Sequence, residues 1–193
     1  MTSIILAGGE NRRLPFNKSL VVVDGETIIE RILNAHRKFF KNIIISTNDP
    51  EIYFKYGTRM VGDVLNIRGP MTGILSSMIS DNSQKYFVSA CDVPFLNKEL
   101  IGYIVSLDSD HDAVVPEFNG EPQPLLGVYN KRLSDRLYDN VKGDRRGMRR
   151  FLSEIDTYMI KEDKVRELDP EGRSFININT MEDLKKVQGG IVC

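Results

Sequence analysis

The segment Ser3-Ile4-Ile5-Leu6-Ala7-Gly8-Gly9 opens the chain with a short apolar run that ends in paired glycines. An apolar run of this length that stops at glycine predicts a buried strand followed by a turn. Similar runs follow at 42–47, 86–90, 113–116, 125–129 and 175–178, and segments with helical spacing of apolar residues separate several of them. This alternation predicts βαβ units and a mostly parallel sheet.

The predicted fold class is α/β, with a mostly parallel central sheet, helices on both faces and a Rossmann-like, three-layer arrangement. Helices are expected at 27–40, from Pro70, from Asn97 and after Thr180. No internal repeat and no linker rich in Pro, Gly or Ser divides the 193 residues, so we expect a single domain over residues 1–193.

The charge balance and the apolar runs exclude several classes of protein. Lys and Arg number 26 and Asp and Glu number 27, a net charge of −1 that argues against coating nucleic acid or an anionic membrane. The apolar runs are too short to span a membrane, no charged segment precedes the first of them, and Cys91 and Cys193 lack metal-binding spacing. We therefore expect a reduced, cytoplasmic protein with no nucleic-acid partner and no membrane partner.

Three cations follow the glycine turn: Arg12, Arg13 and Lys18. Consecutive glycines let backbone N–H groups turn toward an anion, and fixed positive charges beside them suit a polyphosphate. A plain strand-to-helix turn with solvated charges is the alternative. The dinucleotide fingerprint G-x-G-x-x-G is absent, and Asn17 stands where a Walker A loop requires glycine, so a different phosphate loop is indicated.

Polar side chains that follow strand-like runs are candidates for the rest of the site: Asn48, Asp63 and Asp92. A carboxylate at the end of a buried strand, as at Asp92, costs free energy unless it binds something, and Mg²⁺ with a triphosphate is a natural partner. Oxygens of Asn48 and Asp63 can accept hydrogen bonds from N–H donors of a ligand. A turn or capping role is the alternative for all three. Because ligands bind beyond the carboxyl ends of the strands in such sheets, we expect these residues to meet Gly8 and Gly9 in one crevice.

The second half contains a basic run at 142–150, with five cations and one anion. This run is expected to open a helix, where a phosphate is easily held, and a solvated helix face is the alternative. Asn177 and Asn179 are two residues apart at the end of the strand predicted at 175–178, so both side chains would lie on one face and could contact a ligand together. A role in a turn or in helix capping is the alternative. His36 is expected at the rim of the core, and His111 has no catalytic signature.

Several segments of the chain resemble the molybdenum cofactor guanylyltransferases, within the superfamily of sugar- and cofactor-nucleotidyltransferases. The resembling segments are Leu6-Ala7-Gly8-Gly9-x-x-Arg12-Arg13-Leu14 with Lys18, Cys91-Asp92-Val93-Pro94-Phe95, Pro122-Gln123-Pro124-Leu125 and Phe175-Ile176-Asn177-Ile178-Asn179-Thr180. The resemblance extends over essentially the whole chain. The family usually has glycines after the arginine pair, where this chain has Pro15 and Phe16.

The resemblance implies a nucleotidyltransferase fold, with nucleotide binding in the N-terminal half and acceptor binding in the C-terminal half. The GTP-binding residues would be Leu6, Ala7, Gly8, Gly9, Lys18, Asn48, Asp63 and Asp92. The catalytic residues would be Lys18, Asp92 and Arg13, with Asp92 as the ligand of an Mg²⁺ cofactor. The residues that bind the phosphorylated pterin acceptor would be Gln123, Arg145, Arg146, Asn177 and Asn179.

The implied activity is transfer of GMP from GTP to the terminal phosphate of molybdopterin, which releases pyrophosphate and forms molybdopterin guanine dinucleotide. Transient contacts with proteins of cofactor biosynthesis or delivery are also expected. A cytidylyltransferase for the same cofactor, a guanylyltransferase for another phosphorylated acceptor and a non-catalytic GTP-binding module stay open as alternatives. A glycosyltransferase is disfavoured because Asp92-Val93-Pro94 supplies only one carboxylate of a D-x-D metal motif.

Overall fold

The computed structural model of the protein describes residues 1–8, 17–107, 109–178, 180 and 182–183. Its strands are β1 (Thr2–Leu6), β2 (Val22–Val23), β3 (Glu26–Thr27), β4 (Ile43–Ser46), β5 (Arg59–Val61), β6 (Lys85–Ala90), β7 (Ala113–Phe118), β8 (Glu121–Pro122), β9 (Leu126–Asn130) and β10 (Thr157–Ile160). Its α-helices are α1 (Ile28–His36), α2 (Pro70–Ser80), α3 (Lys98–Ser106), α4 (Ser134–Lys142), α5 (Met148–Ser153) and α6 (Glu162–Leu168). Within the described ranges, no helix has the length and apolar character that crossing a membrane requires.

One sheet forms the centre of the molecule. Its strands lie in the spatial order β10-β7-β9-β6-β1-β4-β5, and β8 pairs with β7. Strands β6, β1, β4 and β5 pair in parallel, as do β7 and β10, whereas β9 is antiparallel to both of its neighbours. The sheet is therefore mostly parallel, as predicted. Strands β2 and β3 form a separate antiparallel pair.

The side chains of β1 show why both faces of the sheet are covered. Ile4 and Leu6 pack with apolar residues of α2, α4 and α5 in one core, whereas Ile5 packs with apolar residues of α1 in another. Successive side chains of a strand point to opposite faces, so one apolar strand contributes to two cores. Helices α3 and α6 cover a third cluster under β7 and β9. Helices on both faces give the predicted three layers.

Several helix starts have the capping interactions that the sequence predicts. The side-chain oxygen of Asn97 accepts hydrogen bonds from the backbone N–H groups of Glu99 (2.8 Å) and Leu100 (3.2 Å). Pro70 occupies the first turn of α2, where its missing N–H costs nothing. Thr180 and Asp183 form a reciprocal pair, with each side chain accepting from the other residue's backbone N–H (2.8 and 3.1 Å).

The strand predicted at 175–178 is wrong. A 3-10 turn, Arg173–Phe175, occupies the start of this segment. The turn forms because the buried carboxylate of Asp169 accepts two backbone N–H groups within it, at 3.1 and 2.8 Å. The chain beyond the turn is fastened to the loop after β6 by a hydrogen bond from the Ile178 N–H to the Asp92 carbonyl (3.0 Å), which is a single anchor and not a strand ladder.

Helix α1 ends at His36, four residues before the end predicted at residue 40. The chain turns there, with the N–H groups of Phe39 and Phe40 both donating to the His36 carbonyl (2.9 Å each). The ring of Phe40 then stacks on Phe87 (5.1 Å between centroids). Sequence spacing also missed β10, α4 and α6, because these elements are short or bury few apolar residues.

His36 lies inside the core and not at its rim. Its side chain is fully buried, and its ring lies between two strands, with Nδ1 2.5 Å from the Ser3 hydroxyl on β1 and Nε2 3.0 Å from the Ser89 hydroxyl on β6. A neutral imidazole has one donor and one acceptor, which two hydroxyl groups can satisfy. Burial lowers the pKa of His36 from 6.5 to about 3, because a charged ring would lose its hydration.

The buried histidine predicts an acid-sensitive fold. The unfolded chain takes up a proton at His36 near pH 6.5 and the folded chain only near pH 3, so folding stability is complete above pH 6.5 and falls as the pH decreases toward 3. His36→Gln keeps two polar partners but cannot be protonated, so its free energy of unfolding should vary less between pH 6.5 and 4. Urea unfolding at several pH values measures this difference.

The exposed histidine offers the matched control. His111→Gln removes a ring that pairs with Asp156 at the surface (2.8 Å), and it should leave the acid-dependent loss close to that of the wild type. An equal pH dependence for His36→Gln and the wild type would contradict the prediction.

Candidate active site

The carboxyl ends of β1, β4 and β6 open into a cleft of about 540 Å³. The predicted nucleotide-binding residues that line it are Leu6, Ala7, Gly8, Lys18, Asn48, Asp63 and Asp92. The structure therefore brings together residues from four separate parts of the chain. Gly9 and Arg13, together with Arg12, lie outside the described residues.

The end of β1 forms the floor of this cleft. Beyond the sheet ladder, the Ala7 N–H donates to the Ser46 carbonyl on β4 (2.8 Å), and the Cys91 N–H after β6 donates to the Leu6 carbonyl (3.0 Å). These two bonds fix the first residues of the glycine turn between the ends of both neighbouring strands. Gly8, the next residue, is exposed and lines the cleft with its backbone.

Asn48 and Asp63 bind each other. The amide nitrogen of Asn48 donates to Oδ2 of Asp63 (2.7 Å), and the backbone N–H of Asp63 donates to Oδ1 of Asn48 (2.8 Å). Asn48 follows β4 and Asp63 follows β5, so the pair links the ends of two adjacent strands. The pairing uses Oδ2 of Asp63, and the carboxylate has a second oxygen with which to accept a donor from a ligand. Asn48 thus holds the Asp63 carboxylate in one orientation.

Asp92 has an orphaned carboxylate oxygen. Its Oδ1 is buried and has no hydrogen-bond partner among the described residues. Burial raises the pKa of Asp92, while the positive charge of Lys18 and a backbone hydrogen bond partly lower it again. A buried carboxylate oxygen without a partner costs free energy, and such an atom at the edge of a cleft marks a place for a cation or a ligand donor.

Lys18 lines the same cleft as Asp92 and lies on a short 3-10 turn, Lys18–Leu20. Asn17 caps this turn, because its side-chain oxygen accepts the backbone N–H of Ser19 (3.0 Å). Lys18 acts electrostatically on Asp92 and on Cys91, whose pKa burial raises to about 12. The cleft therefore holds a cation and a carboxylate side by side, and its cysteine stays a neutral thiol.

The start of α2 forms a wall of the cleft that sequence reasoning described only in part. Arg68, Gly69, Pro70 and Gly73 all line it. Helix α2 lies very close to the sheet, since a Cβ on Gly73 would be 2.6 Å from the Ser46 hydroxyl and 3.0 Å from a Leu6 methyl. Arg68 was missed as a site residue, although its position next to Gly69-Pro70 was the available signal. It adds a second cation to the cleft.

Gln123 lies in a second cleft, of about 450 Å³, at the hairpin that joins β7 and β8. Its amide nitrogen donates to the carbonyls of Phe118 (3.3 Å) and Glu121 (3.2 Å). Arg149 and Arg166 also line this cleft, and the first of them forms an ion pair with Glu121 (3.1 Å).

The other predicted acceptor residues are dispersed. Arg145 and Arg146 precede α5 and are exposed, and they are not among the described residues that line either cleft. Arg146 forms an ion pair with Asp144. Asn177 is exposed beside the anchor between Ile178 and the Asp92 loop, and Asn179 lies outside the described residues. With the strand at 175–178 absent, the argument that both asparagines share one strand face has no basis.

Comparison with known proteins identifies the family to which this fold and this cleft correspond. Residues 3–159 match the family described as the MobA-like NTP transferase domain. The chain belongs to this family. Its membership confirms the predicted fold class and the predicted enzyme class, nucleotidyltransferase.

Relatives of this MobA-like NTP transferase match it over their full length. A molybdenum cofactor guanylyltransferase from Desulfosudis oleivorans is 34% identical over 193 residues, which cover 99% of this chain and 96% of that protein. A Methanosarcina mazei protein named "Probable molybdenum cofactor guanylyltransferase" is 32% identical, with 97% and 90% covered. The crystal structure of molybdopterin-guanine dinucleotide biosynthesis protein A from Archaeoglobus fulgidus is similar with a TM-score of 0.85 at 26% identity, covering 98% of this chain and 97% of that one.

The orphaned oxygen of Asp92 predicts that this residue destabilises the MobA-like fold when no ligand is bound. Its pKa is raised on folding, so the folded chain holds the proton more tightly and stability decreases as the pH rises above the ordinary range of a carboxyl group. Asp92→Asn removes the buried charge and should stabilise the protein at pH 7.5 by about 1 kcal/mol in the presence of EDTA. Urea unfolding measures the change.

Asp49→Asn is the control for this measurement. It removes the same charge from an exposed residue that lines the same cleft, and its stability should stay within about 0.5 kcal/mol of the wild type. Destabilisation of Asp92→Asn relative to Asp49→Asn would show that the buried carboxylate is satisfied within the fold.

Proposed function

We propose that the chain transfers GMP from GTP to the terminal phosphate of molybdopterin, which releases pyrophosphate and forms molybdopterin guanine dinucleotide. The observation that supports this most is the single cleft in which the orphaned Asp92 oxygen, Lys18 and the Asn48–Asp63 pair lie together. A relative named molybdenum cofactor guanylyltransferase, identical at 34% of positions over nearly the whole chain, supports the choice of nucleotide and acceptor.

The Asn48–Asp63 pair supports guanine as the base. Guanine presents N1–H and an exocyclic amino group as adjacent donors, and a carboxylate is the acceptor that complements them. We assign this contact to Asp63, whose carboxylate accepts a hydrogen bond from Asn48 and whose backbone N–H donates one back to Asn48. Adenine and cytosine lack this pair of donors, so they would leave the carboxylate poorly satisfied.

The chemistry of Asp92 fits Mg²⁺. The ion takes oxygen ligands and commonly binds one or two protein carboxylates together with phosphate oxygens, and Asp92 supplies one buried carboxylate oxygen that has no protein partner among the described residues. Groups of three or more His, Cys, Asp or Glu side chains with metal-binding geometry are absent from the described part of the chain, which favours a site completed by the phosphates of the nucleotide. When bound, Mg²⁺ would neutralise charge on the phosphate oxygens.

The reaction needs positioning and charge neutralisation from the protein. An oxygen of the acceptor phosphate forms a bond to the α-phosphorus of GTP. At the same time the bond from the α-phosphorus to the oxygen that bridges to the β-phosphate breaks, and pyrophosphate leaves with that electron pair. We assign Lys18, with backbone N–H groups of the turn after Leu6 and Ala7, to the phosphates that leave. Arg13 and Gly9 are proposed for the same anion from the sequence alone. No protein nucleophile is required.

The acceptor is proposed to bind on the C-terminal side of the cleft. Asn177 is the predicted contact that the fold holds beside the Asp92 loop, because the next residue, Ile178, donates to the Asp92 carbonyl. Gln123 is proposed as a second contact, from the neighbouring cleft. Arg145 and Arg146 are exposed. We propose that they contact the charged end of the acceptor only after α5 or the loop before it has moved. Asn179 remains a proposal from the sequence.

One domain is the organisation that the packing supports. A single core cluster contains residues from Ile4 in β1 to Leu152 in α5, so the nucleotide half and the acceptor half share their apolar interior. A cytoplasmic location and transient contacts with proteins of cofactor biosynthesis or delivery stay predictions.

The Asn48–Asp63 pair predicts how selectivity for GTP is lost. Asp63→Asn replaces one acceptor oxygen with a donor that opposes the guanine donors, and kcat/KM for GTP should fall about 100-fold while that for ATP changes little. Asn48→Ala keeps the carboxylate but removes the hydrogen bond that orients it and the bond that Asn48 accepts from the Asp63 backbone N–H, so a smaller loss, about tenfold, is expected. An unchanged GTP-to-ATP ratio in Asp63→Asn would contradict the base assignment.

Pyrophosphate release tests the proposed activity directly. The purified chain should release pyrophosphate from GTP only with both Mg²⁺ and molybdopterin present, and Asp92→Asn should reduce the rate about 100-fold or more while staying folded. Faster release from CTP than from GTP would indicate the cytidylyltransferase alternative, and turnover with another phosphorylated acceptor in place of molybdopterin would identify a different guanylyltransferase. Binding of GTP without turnover under all conditions would indicate a non-catalytic module.

A further inference from the structure

Tyr53 is a fully buried tyrosine whose hydroxyl lies beneath the phosphate-binding side of the cleft. It follows β4 in the segment between two 3-10 turns, Pro50–Ile52 and Phe54–Tyr56. Its hydroxyl is 2.9 Å from the Ser19 hydroxyl and 3.4 Å from the Ala7 carbonyl oxygen. Tyr53 thus contacts the chain at two places: at Ala7, directly before Gly8, and at Ser19, directly after Lys18.

The hydrogens of these groups can be assigned. The Ser19 hydroxyl donates to the side-chain oxygen of Asn17 (2.6 Å), so it has no second hydrogen to offer. Tyr53 must therefore donate to Ser19, with the more distant Ala7 carbonyl sharing the same hydrogen in a three-centre bond. The chain of bonds runs from Tyr53 through Ser19 to Asn17.

Lys18 lies between the two residues that this chain of bonds joins. Asn17 receives both the hydroxyl and the backbone N–H of Ser19, so the short turn around Lys18 is closed on itself as well as tied to Tyr53. Ser19 is fully buried, whereas Lys18 lines the cleft. The backbone on either side of the lysine is therefore held from below, and Lys18 itself lines the cleft.

The surroundings of Tyr53 make the hydroxyl a permanent donor. The ring packs with apolar side chains of β1, α1 and β4, among them Ile5, Ile29 and Ile45. Burial raises the pKa of Tyr53 to about 12, so the hydroxyl keeps its hydrogen at neutral pH. The ring makes the apolar packing contacts, and the hydroxyl makes only hydrogen bonds.

We propose that Tyr53 is a positioning residue that fixes Lys18, through Ser19, at the distance from the Ala7–Gly8 backbone that a nucleoside triphosphate requires. The inference rests on the proposed role of this cleft as the GTP site. The effect should concern the phosphates beyond the α-phosphate, because Lys18 is the group that Tyr53 positions and the guanine contacts lie on Asn48 and Asp63.

Tyr53→Phe tests the proposal, since it removes the hydroxyl and keeps the ring. The dissociation constant for Mg²⁺-GTP, measured by calorimetry, should rise about tenfold, the size of one lost hydrogen bond to a positioned group. The dissociation constant for GMP, which lacks the β- and γ-phosphates, should change less than twofold. In turnover, kcat should fall as well as kcat/KM, because a displaced Lys18 would also stabilise departing pyrophosphate less well.

Tyr158→Phe is the matched control. It removes a hydroxyl from a half-exposed tyrosine on β10, at the end of the sheet away from the cleft, where the ring lies 5.6 Å from that of His111. Its affinities for GTP and GMP should equal those of the wild type. Equal loss of GTP and GMP affinity in Tyr53→Phe would mean a general structural effect and would overturn the proposal, as would no loss.

Ser19→Ala provides a second route if Tyr53→Phe fails to fold. It breaks the same chain of hydrogen bonds at its middle and should reproduce the selective loss of GTP affinity. The double variant should bind GTP no more weakly than the more affected single variant. Additive losses would show that the two hydroxyl groups act independently, which contradicts the proposal. If the wild type binds no GTP, the proposed function fails, whereas normal wild-type binding with no effect of either variant overturns this inference alone.

Discussion

Two backbone hydrogen bonds at the end of β1 determine the geometry of the cleft. Ala7 donates to the Ser46 carbonyl on one side, and Leu6 accepts from the N–H of Cys91 on the other. Because β1 lies between β4 and β6 and is parallel to both, these bonds bring Ala7 and Gly8, the Asn48 loop and the Asp92 loop together at one edge of the sheet. Every polar group that we assign to the nucleotide is attached to one of these three loops or to a segment that contacts them.

The polar groups that line the cleft are held by hydrogen bonds to their neighbours. Asn48 binds one carboxylate oxygen of Asp63, and Ser19 bonds to Tyr53 and Asn17 directly next to Lys18, which lines the cleft. Such an arrangement keeps the ligand-binding atoms at defined distances before the ligand arrives, which is the condition for electrostatic stabilisation of a transition state without reorganisation.

The first half of the site could be predicted from the sequence because its signals are local. Glycines and carboxylates directly after apolar runs identify strand ends, and the topology rule then places Gly8 and Asp92 together. The second half could not be, because Asp169 draws the chain at 175–178 into a turn through bonds that no periodicity reveals. Tyr53 was missed for a related reason. A tyrosine near apolar residues in the sequence is normally interpreted as a core residue, and its hydrogen-bond partner, the Ser19 hydroxyl, lies 34 residues earlier in the chain.

A reaction that uses no protein nucleophile makes the width of the cleft as important as its chemistry. Gly73 illustrates this, because it offers a ligand no side chain, yet a methyl group there would lie 2.6 Å from the Ser46 hydroxyl and 3.0 Å from a Leu6 methyl, so that these side chains or α2 itself would have to shift. A shift of α2 would also move Arg68 and Gly69, which line the cleft together with Lys18. The distance between the two cations, and with it the charge available to a polyphosphate, therefore depends on a residue whose only contribution is the absence of a side chain.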